Sequence, residues 1–97
     1  MKKIQKIKGF FWVRYAVFDN VNLSSADILV YCTLMRHMNN KTCECFPSIK
    51  TLMIESRLSN RTIYSCLDKL ESEKLIHRQK ESGKVNLYTI LEPPTNL

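Results

Sequence analysis

The sequence predicts a mainly α-helical domain that ends in a small β-hairpin, an α+β fold. Three segments between residues 24 and 73 carry apolar residues at helical spacing, and a serine that can cap a helix precedes each of them. After these segments, two short stretches that favour strands lie on either side of a turn containing Gly83. With 97 residues, 44% of them hydrophobic, the chain can build one small core.

The beginning of the chain divides into a basic arm and an extended segment. Residues 1–9 hold four lysines and no acidic residue, which predicts a flexible arm. Residues 10–18 (FFWVRYAVF) are aromatic and β-branched, so they predict a strand or a packed extended segment, closed by a turn at Asp19 and Asn20. The ordered domain is therefore predicted at 10–91, and 92–97 as a tail or the start of a linker.

A capping box predicts that the first helix begins at Ser24, because Asp27 follows three residues later. The helix is expected over 24–39, and its apolar residues cover two sides, which predicts burial on both. The simpler explanation is that residues 10–18 cover the second side of this helix. A homodimer contact is the alternative. The polar residues 39–45 predict a loop.

Two further helices follow in close succession. Ser48 can cap a helix whose apolar face includes Leu52 and Met53. Ser59 can cap a third, which extends to about residue 73. Its anchoring positions are Ile63, Cys66, Leu67 and Leu70. Two short helices followed by a basic hairpin form the order of a winged helix-turn-helix.

The outward face of the third predicted helix carries the candidate binding residues. A helix enters the major groove of DNA when one face is anchored and the other offers donors and acceptors. The candidates are Ser59, Asn60, Arg61, Thr62, Tyr64, Ser65 and Lys69, with Asp68 also outward. Those near the helix start are expected at base edges, and Thr62 and Lys69 at phosphates. Arg78, Lys80 and Lys84 give the predicted wing a positive charge.

The segment from Leu23 to Ile76, with the hairpin after it, resembles the winged helix-turn-helix domains of bacterial, plasmid and phage DNA-binding proteins. It is similar in particular to the amino-terminal domains of phage replisome organisers and plasmid replication initiators. The motifs that carry the resemblance are Leu23-Ser24, Phe46-Pro47-Ser48-Ile49 with Leu52, Ser59-Asn60-Arg61-Thr62-Ile63, and Leu70 with Leu75-Ile76. The resemblance implies that residues 59–62 form the DNA-facing start of the recognition helix.

The sequence departs from this pattern at two positions. Arg57 stands at the turn position where such domains often have glycine, and a left-handed conformation there costs roughly 1–2 kcal/mol. Either the turn differs or Arg57 itself reaches a phosphate. Met53 stands where a small residue is usual, which predicts wider packing between the second and third helices.

Charge and motif content favour a nucleic-acid partner without catalysis. The net charge is +6 and the pI is near 9.3, so a polyanion is the expected partner, and the helix order makes it double-stranded DNA. Replication initiation on a plasmid or phage, transcriptional regulation and DNA partition all fit, with a replication or partition protein as a further partner. The alternative is a winged module that binds another protein.

Other classes of function find little support in the residues. The chain has no Gly-rich phosphate loop, paired-carboxylate pattern or triad, so no enzyme is expected. The longest nearly apolar run, residues 28–35, is too short to span a membrane, and the rings of residues 10–12 fit a membrane surface less well than a packed domain. The Cys43-x-Cys45 pair is a weak zinc signal. Reduced thiols, a cytoplasmic location and no metal or cofactor are therefore expected.

Overall fold

The computed structural model describes residues 9–79 and 86–91, and in this part of the chain four helices combine with a three-stranded sheet. The elements are α1 (Tyr15–Asp19), α2 (Ser25–His37), β1 (Glu44–Cys45), α3 (Ile49–Ser56), α4 (Asn60–Ser72), β2 (Ile76–Gln79) and β3 (Leu87–Ile90). The predicted α+β class is confirmed. The third predicted helix is α4.

Serine caps begin the three longer helices where the sequence predicts them. Ser24 Oγ accepts the Asp27 amide at 3.1 Å while Asp27 Oδ2 accepts the Ser24 amide at 2.8 Å, which completes the capping box. Ser48 and Ser59 each accept the amide three residues ahead, at 3.0 and 3.2 Å. These bonds satisfy first-turn amides that have no acceptor within the helix. The predicted starts of α2, α3 and α4 are therefore confirmed.

Helix α2 lies at the centre of the core and is buried on two sides, as its sequence predicts. Val30 and Leu34 are 0% exposed on one side, and Tyr31 and Met35 are 1% and 4% exposed on the other. The helix packs mainly against α4 and α3, and also against β1. Burial of these side chains stabilises the fold by roughly 1.5–3 kcal/mol each.

Residues 10–18 do not form the predicted strand or extended segment throughout. Residues 9–14 have no regular structure, and α1 begins after Arg14, whose carbonyl accepts the Val17 amide at 3.1 Å. This helical turn places Val17 in the core at 2% exposure, so a tertiary contact overrides the β propensity of the segment. The turn predicted at Asp19 and Asn20 lies slightly later: Asp19 is the last residue of α1, and the Leu23 amide donates to the Asn20 carbonyl at 3.1 Å.

The sheet contains a strand that the sequence does not predict. Glu44–Cys45 lies in the segment expected to be a loop, yet it forms β1 and pairs antiparallel with β3, in the strand order β1-β3-β2. Two residues are too short to carry a periodic pattern, so this pairing depends on the tertiary fold. The two predicted hairpin strands are confirmed as β2 and β3, in a register from Ile76↔Ile90 to Gln79↔Leu87.

The turn between α3 and α4 keeps a left-handed residue although no glycine is present. Arg57 has φ 62° and ψ 29°, and its amide donates to the Met53 carbonyl at 2.8 Å. Ser56 Oγ donates to the Leu52 carbonyl at 2.6 Å and accepts the Leu58 amide at 3.3 Å. The conformation expected of glycine is thus adopted by Arg57, and the turn geometry is retained at the cost of backbone strain.

Replacing Arg57 with glycine is expected to raise the free energy of unfolding by up to about 1 kcal/mol. Relief of the left-handed strain contributes roughly 1–2 kcal/mol, and the greater entropy of glycine in the unfolded chain offsets part of it. Urea denaturation measures the change. Arg57→Ala is the matched control, since it also removes the charge but keeps Cβ. Equal stability of the two variants would show that Arg57 is not strained.

Candidate nucleic-acid interface

Helix α4 presents one polar face to solvent because its opposite face is anchored in the core. Ile63, Leu67 and Leu70 are 0% exposed and Cys66 is 3% exposed. The exposed residues on the other side are Asn60, Arg61, Tyr64, Ser65, Asp68 and Lys69, which we call the α4 face. The outward positions expected from the apolar spacing are therefore found where the sequence predicts them.

The α4 face has the dimensions of a groove-reading surface. Arg61 and Ser65 are four residues apart, as are Tyr64 and Asp68, so the four side chains lie side by side on one strip. From residue 60 to residue 69 this strip extends about 14 Å at 1.5 Å per residue. The major groove of DNA is about 12 Å wide and admits a helix. The strip therefore runs along the groove, whose width matches the diameter of about 10–12 Å that a helix has with its side chains.

The predicted residues at the start of α4 divide into two groups. Ser59 Oγ accepts the Thr62 amide and also donates to Thr62 Oγ1 at 2.9 Å, so these two side chains build the helix start. Asn60 and Arg61 are exposed at the first two helical positions. Their amides are first-turn donors without an acceptor inside the helix. Asn60 and Arg61 thus offer both side chains and backbone donors to a ligand.

Exposed cations lie at both ends of α4 and at the start of α3. Arg57 is exposed in the turn that precedes α4, and Lys69 is exposed near its end. Lys50, which sequence reasoning did not single out, is exposed in the first turn of α3. The Ser48 cap could have pointed to Lys50 from the sequence. A capped helix start attracts anions, and a cation there strengthens the attraction.

Arg78, predicted to contact DNA, makes several polar contacts within the protein. Its guanidinium lies 2.6 Å from Asp68 Oδ1, and its Nε donates to Glu71 Oε1 at 2.9 Å. Its backbone amide also donates to Glu71 Oε2, at 3.1 Å, and the side chain is only 21% exposed. Arg78 therefore joins β2 to α4, and its charge compensates Asp68, a carboxylate that would otherwise repel phosphates.

Acid is expected to weaken the fold through two glutamates. Donation from the backbone amide and guanidinium of Arg78 holds the pKa of Glu71 below its ordinary value of 4.5. The side-chain amides of Asn20 and Asn22, at 3.0 and 3.3 Å, likewise lower the pKa of Glu73. A carboxylate with a lowered folded-state pKa stabilises the fold above its ordinary pKa, and this stabilisation is lost as the pH falls through the lowered value.

The free energy of unfolding is therefore expected to decline from about pH 5 downward. Urea denaturation at a series of pH values measures this decline. Glu71→Gln is expected to reduce stability at pH 7 and to make the decline shallower, because one of the titrating groups is gone. A variant curve that runs parallel to the wild-type curve would contradict the role of Glu71.

A polar contact joins α2 to each helix of the α3–α4 pair. His37 Nε2 lies 2.8 Å from Glu55 Oε1, which connects the last residue of α2 to α3. The Cys66 thiol of α4 donates to the buried Asp27 carboxylate of α2.

Two buried thiols have raised pKa values. Burial, and to a smaller extent the hydrogen bond to Asp27, raises the pKa of Cys66 to about 12. Burial also raises the pKa of Cys45 to about 12. Neither thiol is therefore activated as a nucleophile.

Comparison with known protein families identifies the fold. Residues 21–76 match the model of a family described as a helix-turn-helix domain. The chain belongs to this family. The matched residues extend from the turn after α1 to the first residue of β2, so they include the α3–α4 pair. Comparison with curated protein sequences gave no match.

Solved structures share the fold of this helix-turn-helix domain. A structure described as the N-terminal domain of a DNA binding protein has a TM-score of 0.70 at 14% identity, covering 99% of this chain and 88% of that chain. A Rep–DNA complex has a TM-score of 0.68 at 17% identity, covering 91% and 78%.

A third similar structure is BpsR of Bordetella bronchiseptica, whose DNA binding is regulated by 6-hydroxynicotinic acid. Its TM-score is 0.56 at 19% identity, and the alignment covers 79% of this chain. This chain spans about half of BpsR, 51% of its length. The similarity in all three cases is one of fold.

The helix-turn-helix domain has a wing, formed by β2 and β3 with β1 beside them, and the predicted winged fold is confirmed. Lys80 and Lys84, predicted to contact DNA from the wing, lie outside the described residues, as do residues 1–8 and 92–97. Among the described residues, no group of three metal-binding side chains is found, and no helix is both long and apolar enough to cross a membrane.

Proposed function

We propose that this helix-turn-helix domain binds double-stranded DNA and reads its sequence with the α4 face in the major groove. The observation that carries the proposal is the polar strip on α4, held by four buried side chains and exposing Asn60 and Arg61 at the helix start. Arginine pairs bidentately with guanine, and asparagine with adenine. The net charge of +6 supports a polyanionic ligand.

Phosphate contacts would come from exposed cations on α3, in the turn that follows it and on α4. In helix-turn-helix proteins the first helix of the pair crosses the DNA backbone while the second enters the groove. Lys50 at the start of α3, Arg57 in the turn and Lys69 near the end of α4 have the exposure that such contacts need. These contacts would position the domain, and the base contacts of α4 would give specificity.

We propose replication initiation on a plasmid or phage as the biological role. The sequence resemblance to initiator and replisome-organiser domains supports it, and so does the fold shared with a Rep–DNA complex. Transcriptional regulation and DNA partition use the same kind of contact, and the position of the bound site distinguishes them. A homodimer, with a replication or partition protein as a further partner, would strengthen binding by placing two reading helices on one DNA.

Selection of bound fragments, followed by affinity measurement across a salt series, tests the proposal. Fragments from the genome that encodes this chain are the probe. If the domain contacts at least three phosphates, a plot of log affinity against log salt concentration should have a slope of about −3 or steeper. Location of the selected site at an origin would support replication. Absence of enrichment, or binding that does not depend on salt, would instead favour a protein partner.

The wing is expected to add nonspecific affinity. Replacing both Lys80 and Lys84 with alanine should weaken binding to all sequences to a similar degree, because phosphate contacts do not depend on sequence. If both lysines contact phosphates, the salt slope should become shallower by about 2. Titrations of the selected site and a scrambled duplex measure both effects. An unchanged slope would show that the wing does not contact DNA.

A further inference from the structure

The N-terminal segment turns its aliphatic side chains inward and its aromatic rings outward. Val17 is 2% exposed and Val13 is packed against the core. The rings at Phe10, Phe11, Trp12, Tyr15 and Phe18, which we call the aromatic segment, are 42% to 86% exposed. The expectation that the rings of residues 10–12 pack in the domain is therefore wrong: two valines reach the core, and the rings are left without cover in the described part of the chain.

We infer that the aromatic segment is the surface on which a second copy of this chain docks. Aromatic side chains cover about 150–250 Å² each, so five rings at these exposures present roughly 600–700 Å². A standard protein interface buries about 800 Å² per partner. The exposed rings therefore supply most of the apolar surface that one half of a stable dimer needs.

The rings of the aromatic segment are close to one another along the chain. Phe10 and Trp12 contact each other edge to face, with ring centroids 6.1 Å apart. Trp12 and Tyr15 are three residues apart, so their Cα atoms are at most about 11 Å apart. Tyr15 and Phe18 stand three residues apart on α1 and share its outer face.

A groove lies beside the rings of residues 10–12. It has a volume of about 380 Å³, with residues 10–12 on one side and Met35, Arg36 and Met38 at the end of α2 on the other. This volume is within the range of pockets that enclose a small organic ligand, so it suffices for an aromatic side chain. In a two-fold dimer each copy would supply both rings and groove.

Composition favours a second copy over a membrane or a nucleic acid. Protein interface cores are enriched in aromatic residues, methionine and arginine, and depleted in lysine, glutamate and aspartate. Residues 9–18 contain no lysine, glutamate or aspartate, and the groove adds two methionines and Arg36. A membrane surface would instead call for an amphipathic helix with a cationic face, whereas α1 has only five residues.

Sedimentation equilibrium without DNA tests the dimer. The wild-type chain is expected to dimerise, and the emission of Trp12, the single tryptophan, should move to shorter wavelength as concentration rises. Phe10→Ala combined with Tyr15→Ala should weaken dimerisation by at least about 30-fold, because buried rings dominate interface energies. Phe46→Ala is the control, since Phe46 is 66% exposed outside the segment and its loss should leave the dimer intact.

Three results would overturn the inference: a wild-type chain that stays monomeric at high micromolar concentration, a double variant that dimerises as tightly as the wild type, or a monomer that binds phosphatidylglycerol vesicles through the aromatic segment. Circular dichroism checks that the double variant keeps its fold, which is expected because both replaced rings are exposed. No DNA is present, so the result is independent of the proposed DNA binding.

Discussion

Replacing Arg61 with alanine is expected to weaken binding to the selected DNA site by about 5- to 150-fold, which corresponds to about 1–3 kcal/mol. Arg61 is exposed at the second position of α4, on the strip that carries Tyr64 and Ser65. The leading turn of a recognition helix enters the groove deepest. Base preference at one position of the site should relax, because the fork that pairs with guanine is lost.

Two control variants separate charge from base reading. Arg61→Lys keeps the charge but lacks the bidentate fork, so nonspecific affinity should be retained while base preference falls. Lys74→Gln also removes one positive charge, but Lys74 follows the other end of α4, about 20 Å away. The affinity of the Lys74→Gln variant for the selected site should remain close to that of the wild type. Equal losses for Arg61→Ala and Lys74→Gln would mean that Arg61 acts only through net charge.

Replacing Leu67 with alanine is expected to lower the free energy of unfolding by about 2–5 kcal/mol. Leu67 is 0% exposed on the inner face of α4, so its truncation loses apolar burial and leaves a cavity among neighbours that cannot fully close. Small domains are stable by only about 5–15 kcal/mol. The melting temperature should therefore fall by roughly 10 to 30 °C.

Thermal and urea denaturation measure this loss against a matched variant. Lys69→Ala lies two residues further along α4 on the exposed side, and its stability should stay within about 0.5 kcal/mol of the wild type. A loss below about 1 kcal/mol for Leu67→Ala would contradict the anchoring of α4 in the core.

Local chemistry made most of the helical framework predictable. Ser24, Ser48 and Ser59 mark the helix starts because a hydroxyl three residues before a free amide can replace the missing backbone acceptor. The spacing of Ile63 and Leu67 fixes which side of α4 is buried and therefore which side chains face outward. The candidate reading surface follows from that spacing alone.

Features that depend on distant partners could not be predicted. The strand Glu44–Cys45 exists because β3 supplies its hydrogen bonds, and nothing within two residues shows this. The rings of residues 10–18 have strong β propensity, yet burial of Val17 is achieved by a helical turn. Arg78 has a cationic side chain of the type that binds phosphates, but Asp68 and Glu71 bind it from the preceding helix. Each of these outcomes is decided by tertiary contacts.

Mapping of amide chemical shifts during titration with the selected duplex tests the central claim most directly. The claim is that the α4 face reads DNA, so the largest shift changes are expected at Asn60, Arg61, Tyr64 and Ser65, with smaller changes at Lys50 and Arg57. Large changes confined to residues 10–18, with α4 unchanged, would contradict it and would assign recognition to the aromatic segment.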